Sequence, residues 1–232
     1  MVQESKSDRR DVPRYTPQEA AHHLSMPPAT VRAWSVGYRY GASGKEARRF
    51  QPLITLATRS PLALSFWNLV ELYVLASLRR RYEVPMPKVR SALRYTAREL
   101  GAQRPLIEET FYTDGIDIFV EKFSTLIDAT DGQTVMKSVL VHSLERVDRG
   151  TDGRVLRLYP WLLDPQEPRA FEVDPERAFG RLVLAGTGIP TEIIAERFRA
   201  GETIDSLATD FGMQKDRIEQ ALRWEQRAPS AA

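Results

Sequence analysis

Thr16-Pro17-Gln18-Glu19-Ala20-Ala21-His22-His23-Leu24-Ser25-Met26-Pro27-Pro28-Ala29-Thr30-Val31-Arg32-Ala33-Trp34-Ser35-Val36-Gly37 decides how the first third of this chain folds. Thr16 and Glu19 have the spacing of a capping box with proline at the first helical position: the Thr16 hydroxyl can accept from the Glu19 amide while the Glu19 carboxylate reaches back. A helix therefore starts there, turns Ala20, Ala21 and Leu24 inward, and breaks at Ser25-Met26. A second helix restarts at Pro27-Pro28, packs Val31 and Trp34 inward, and ends at Gly37. Two short helices joined by a tight turn make a helix-turn-helix, whose second helix enters the DNA major groove. Thr30 and Arg32 then face the nucleic acid.

The next residues, 38–50, are glycine-punctuated and basic, with Arg39, Tyr40, Lys45, Arg48 and Arg49 placed to contact DNA. They read as a wing, followed by a strand-like run from Leu53 to Ala57. Ser65 caps a helix reaching about Arg81 that is apolar on nearly every side, which makes it the central helix of this region. Pro87 opens another, with Val89, Leu93, Ala97 and Leu100 spaced along one face.

Charge divides the 232 residues in the same way. Residues 1–104 hold 18 Lys and Arg against 8 Asp and Glu, whereas residues 105–232 hold 15 against 23. A basic front attached to a helix-turn-helix is the electrostatic footprint of a DNA reader, because cations that meet phosphates release condensed counterions. The acidic back calls for a different partner. Cysteine is absent, which removes disulfides, thiolate zinc sites and cysteine nucleophiles and suits a reducing cytosol. Met1 to Arg14 has no apolar run of the kind a signal peptide needs. The most apolar window, Leu62 to Leu78, contains Asn68 and Glu71 and runs into three arginines, so it reads as a buried helix and not as a membrane span. A cytoplasmic protein without membrane contact is expected.

From Ile107 to about Trp161 the pattern reads as short strands with turns at Asp114-Gly115, Asp131-Gly132 and Asp152-Gly153. Phe111-Tyr112-Thr113 and Ile116 to Val120 would flank the first turn as a hairpin. Asp114, Asp117, Glu121 and Asp128 are turn or polar-face residues on this reading, so no metal site is expected. Behind the breaker-rich Asp164-Pro165-Gln166-Glu167-Pro168, three helices follow: Thr191 to Ala200, Ile204 to Phe211, and Lys215 to about Gln226, each with one apolar face. The glycines around Thr187 lack Walker and Rossmann spacing and read as a tight turn. His22, His23 and His142 lack a matched nucleophile. No catalytic residue and no cofactor is expected, and hence no enzyme. The fold class is α+β and mainly α: a winged helix-turn-helix over 13–104, a small acidic antiparallel sheet region over 105–173, and a three-helix, helix-turn-helix-like unit over 174–228.

The phrase Pro28-Ala29-Thr30-Val31-Arg32-Ala33-Trp34, followed by Arg48-Arg49-Phe50, resembles the MerR-type winged helix-turn-helix over about residues 13–100. It departs from that pattern at Ser25, where glycine is usual, and at Pro27, where a Ser or Thr cap is usual. The long coiled-coil pairing helix is also missing. Residues 174–226 are similar to a domain of unknown function found in bacterial antitoxin genes beside PIN-like toxins. That resemblance rests on Gly186-Thr187-x-Ile189-Pro190, Gly201-Glu202-x-Ile204 and Ile218-x-x-Ala221-Leu222, with a departure at Gly188. The combination resembles a large VapB-type antitoxin. The resemblance implies two partners, operator DNA and a PIN-like ribonuclease toxin, and a protein that represses its own operon. A homodimer paired through the C-terminal unit is expected, because one short recognition helix reads few base pairs. Tyr159, Trp161 and Trp224 are the candidate toxin anchors, aromatic residues in a half whose acidity suits the basic rim of a ribonuclease. The alternative is a stand-alone MerR-like transcription regulator whose middle region senses a ligand.

Overall fold

Helices α1 (Pro17–His23) and α2 (Pro28–Val36) follow from the capping chemistry. In the computed structural model, which describes residues 8–41, 48–56, 58–81, 85–127, 133–160 and 167–227, both halves of the box close. The Glu19 amide donates to Thr16 Oγ1 at 3.2 Å and the Thr16 amide to Glu19 Oε2 at 2.7 Å. Ser25, in the turn, has φ 50°, a left-handed conformation that costs an L-residue about 1–2 kcal/mol. Arg80 holds this turn from the long helix α3 (Phe66–Arg81), its guanidinium donating to the carbonyls of Leu24 and Ser25. Helix α2 lacks a side-chain cap, and its two leading prolines have no N–H to satisfy.

Strands β1 (Tyr38–Tyr40) and β2 (Arg48–Phe50) pair antiparallel to form the wing. Gly37, with φ 75°, makes the corner between α2 and β1, and a Cβ there would collide with the Phe50 carbonyl. The strand expected over 53–57 does not form in the described part of that run. Leu53 instead donates its amide to the Trp34 carbonyl (2.7 Å) and Ile54 is buried, so these apolar side chains plug the side of the helix pair and no ladder forms. The pairing falls just beyond, between β3 (Thr58–Arg59) and β4 (Leu62–Ala63). Helix α3 is the core of the region: Leu69, Val70, Leu72, Tyr73, Val74 and Leu75 are all essentially inaccessible.

The middle corrects the hairpin expected at Asp114-Gly115. After α4 (Met86–Leu100) and a 3₁₀ turn (Pro105–Ile107), residues Phe111–Gly115 form a π-helical turn that runs directly into α5 (Ile116–Ile127). Ile116, Phe119, Val120 and Phe123 are buried, which is the i, i+3, i+4, i+7 pattern of a helix face. Five residues of alternation mimic a strand; eight reveal the longer period. Gly115 is there for space, since a Cβ would crowd Leu100 Cδ1 and Phe111 Cδ2 at 2.8 Å each. Asp131-Gly132 lies outside the described residues. Helix α6 (Gln133–Leu144) then packs on α3 and α5.

The antiparallel sheet comes later, with four strands in the order β5 (Val147–Arg149), β6 (Val155–Leu158), β7 (Phe171–Val173) and β8 (Leu182–Leu184). The Asp152-Gly153 turn joins its first two strands, Gly153 taking φ 73°. Helices α7 (Thr191–Arg199), α8 (Ile204–Phe211) and α9 (Lys215–Glu225) close the chain, and the glycines before α7 do form a tight turn, pinned by Thr187 Oγ1 on the Leu184 carbonyl at 2.7 Å. One contiguous core runs through Tyr15, Phe111, Phe171 and Trp224. The back of the molecule grips the helix-turn-helix directly: His22 Nε2 lies 3.1 Å from Glu225 Oε1, which also accepts from Thr191 Oγ1 at 2.5 Å. Among the described residues no helix is long and apolar enough to cross a membrane.

One buried acid ties the central helix to its neighbours. Glu71 Oε2 accepts from Asn68 Nδ2 (3.0 Å) and from Arg104 Nη1 (3.3 Å), and Asn68 Nδ2 also donates to the Thr55 carbonyl at 2.7 Å. Burial pushes the Glu71 carboxyl up from 4.5 to about 7, against the pull of Arg104 and Asn68. The folded protein therefore binds this proton more tightly than the unfolded chain does, so the contribution of Glu71 to stability falls as pH rises from about 4.5 to about 7. His23, which burial holds down to about 4, works in the opposite direction below its ordinary value of 6.5. The slope of stability against pH in Glu71→Gln minus that of the wild type, followed by denaturant midpoints, isolates the first effect. A positive difference over that window is expected; equal slopes would sink the assignment.

Candidate nucleic-acid interface

The wing register sets the geometry of the basic surface. Tyr38 faces Phe50, Arg39 faces Arg49 and Tyr40 faces Arg48 across the two strands. Directly opposed residues share one face of a ladder, so Arg39 and Arg49 stand side by side, an arrangement that repels unless an anion lies between them. Tyr38, Phe50, Tyr40 and Arg48 form the other face, with Tyr38 stacked on Phe50 at 5.1 Å between centroids and tilted against Tyr40 at 5.8 Å. Arg90 of α4 braces the base of the wing: its guanidinium lies 4.7 Å over the Phe50 ring, and it donates to the carbonyls of Pro52 (3.2 Å) and Gln51.

On α2, Val31 and Trp34 are buried while Arg32 is exposed and Thr30 half-buried, as helical spacing requires. Thr30, Trp34, Tyr38, Tyr40 and Phe50 line a groove of about 370 Å³ between this helix and the wing. Arg32, Arg39, Arg48 and Arg49 are exposed, and none of their side chains bonds or ion-pairs with a described residue. On α7, Arg197 is bound by Glu202 at 2.5 Å and by Asp210 at 2.7 Å, so its charge is spent internally, whereas Arg199 is exposed. Unpaired cations on an exposed helix and wing suit a phosphate backbone.

Of the residues expected from the sequence to face DNA, Thr30 and Arg32 lie on α2, Arg39 and Arg49 on one face of the wing, and Tyr40 and Arg48 on its other face; Lys45 lies outside the described residues. Sequence reasoning missed Tyr38, whose alternation with Tyr40 was the available signal. It also missed Arg90 and Arg80, whose supporting roles depend on packing between distant segments.

The aromatic anchors come out differently. Trp224 is 3% exposed and packs on Phe171 at 4.6 Å between centroids, so it is a core residue. Ile218, Ala221 and Leu222, also buried, define the inward face of α9, and Trp224 sits three positions past Ala221 on that face. Tyr159 is 8% exposed, its hydroxyl donates to Asp148 Oδ2 at 2.9 Å, and Arg169 covers its ring at 4.6 Å. Neither is an exposed anchor. Trp161 lies outside the described residues.

These features define a winged helix-turn-helix protein whose C-terminal helical unit is docked onto the helix-turn-helix. A family model described as "Putative DNA-binding HTH domain" matches residues 13–93, and one described as "Protein of unknown function (DUF433)" matches residues 172–224. The protein named "Putative antitoxin VapB45" of Mycobacterium tuberculosis (strain ATCC 25618 / H37Rv) is 32% identical over 233 residues, covering 92% of this chain and 94% of that one. The chain belongs to this family of VapB-type antitoxins with a helix-turn-helix domain. The fold is shared with the X-ray structure of RV2018 from Mycobacterium tuberculosis, with a TM-score of 0.67 and 24% identity over 93% of this chain and 100% of that one.

Proposed function

We propose that this antitoxin silences a PIN-like ribonuclease and represses its own operon, reading operator DNA as a homodimer through α2 and the wing. The observation that carries the DNA half is the set of four exposed arginines, one on α2 and three on the wing, whose side chains engage no described residue. The acidic surplus behind residue 104 supports the toxin half, since a nuclease that holds RNA presents a basic rim and opposite charge speeds encounter. Paired half-sites about one helical turn apart would give a dimer enough base pairs to read. The reading requires a PIN-like gene beside this one.

Co-expression of the full chain with that neighbour's product tests the proposal, read by growth, RNA cleavage and co-purification. Restored growth with a stable complex is expected, together with retention of a DNA fragment from upstream of the gene. An RNase that stays active and unbound in the presence of excess folded protein overturns the toxin half; absence of retention at low salt overturns the operator half.

A further inference from the structure

A cleft of about 670 Å³ opens on the side of the molecule, between the loop after α4, the Trp67 face of α3 and the β5–β6 turn. It falls in the size range of small-molecule sites. Its apolar surface comes from Trp67, Ile107 and Val155, and its rim carries four carboxylates, those of Asp11, Glu108, Glu109 and Asp152, against two guanidiniums. Both guanidiniums are already engaged. Arg104 divides itself between Glu71 and Asp11 (3.3 Å each) and lies 5.4 Å over the Trp67 ring, while Arg154 pairs with Asp152 at 3.5 Å. Glu108 is used as a cap, its Oε1 accepting from the amides of Gln103 and Arg104.

Glu109 is different. It is exposed, and its carboxylate makes no hydrogen bond or ion pair with a described residue, acting on Arg149 only through space. It lies against Gly153, where a Cβ would collide with Glu109 Oε2. The carboxylates are not gathered as a chelate: among the described residues no group of three or more His, Cys, Asp or Glu could hold a metal ion. Of the four carboxylates, Asp11 is engaged by Arg104, Asp152 by Arg154 and Glu108 by backbone amides, which leaves that of Glu109 as the open charge of the rim. A spread of carboxylates around an indole face suits a cation too large to be a metal ion, with an apolar or flat body.

We propose that this cleft binds a small organic cation, an amine, amidine or guanidine carried on a flat or apolar body. Such a ligand sets its charge against Glu109, with Asp152 shared between it and Arg154, and its body on Trp67. The site touches the DNA-binding domain as well: Thr55 and Arg104, both in its wall, are joined through Asn68 and Glu71 to the chain that leaves the wing. An occupant would therefore press on the base of the wing.

The test uses the full ¹⁵N-labelled chain titrated with benzamidine, phenethylamine and agmatine, with benzoate and benzyl alcohol as ring-matched controls. Saturable shifts of the Trp67 indole N–H and the Gly101 and Gly153 amides are expected with at least one cation, at dissociation constants of about 0.1–1 mM, typical of ligands this small. Glu109→Gln with Asp152→Asn, both exposed positions, should weaken binding about tenfold or more and leave the thermal midpoint in place. Absence of saturation with all three cations overturns the proposal, as does benzoate binding equally well or the double variant binding unchanged. If a nona-arginine peptide shifts these resonances and the small cations do not, the cleft is a protein-docking surface and the ligand site is refuted.

Discussion

Replacing Arg48 and Arg49 together by alanine is expected to weaken DNA binding on the order of a hundredfold, uniformly across sequences, while the protein stays folded. Both side chains are exposed, and neither is engaged with a described residue, so nothing inside the molecule is lost with them. On the proposed reading a pair of phosphate contacts is lost, and each contact removed should reduce the steepness of the salt dependence by about one. The measurement is a titration of operator DNA at several salt concentrations. An unchanged slope would remove the wing from the interface. Arg32→Ala should behave differently, because a base contact from the recognition helix costs about 1–3 kcal/mol at one position and relaxes specificity there. A uniform loss for Arg32→Ala would reassign it to the backbone.

The largest stability effect is expected at Trp224. Its ring is enclosed against Phe171 and it precedes Glu225, which links α9 to His22 on α1 and to Thr191. Trp224→Ala leaves a cavity where sheet, C-terminal helices and helix-turn-helix meet, and substitutions of this kind cost about 3–5 kcal/mol. Set against total stabilities of about 5–15 kcal/mol, that is a large share. Denaturant unfolding should show a much lower midpoint with loss of structure spreading into the N-terminal region. A variant that keeps its midpoint but no longer binds a nuclease would return Trp224 to the role of exposed anchor.

The two halves of the site differ in how far the sequence reveals them. Thr16-Pro17-x-Glu19, the Pro27-Pro28 restart and Gly37 act on their immediate neighbours through capping and backbone freedom, so the helix-turn-helix can be read from residues a few positions apart. Arg39 and Arg49 could be named as wing cations. Their standing directly opposite one another is a matter of strand register, which no local signal specifies. The middle shows the failure in the other direction: Asp114-Gly115 is a good turn signal by composition, yet Phe111, Phe119 and Phe123 are drawn into the core beside α4, and burial of that face outweighs the turn preference.

Local chemistry, carried by the sequence itself, determined the helix-turn-helix, the basic wing, the buried central helix, the Gly186–Gly188 turn and the three C-terminal helices. Tertiary structure alone decided that Arg80 would stabilise the left-handed Ser25 turn, that Arg90 would brace the wing, and that Tyr159 and Trp224 would be buried. It also brought Trp67, Glu109 and Asp152 around one cleft. The division follows the range of the forces. Caps, prolines and helical periodicity act within a turn or two, whereas a guanidinium reaching a carbonyl 55 residues away, as Arg80 does at Ser25, depends on how whole helices pack.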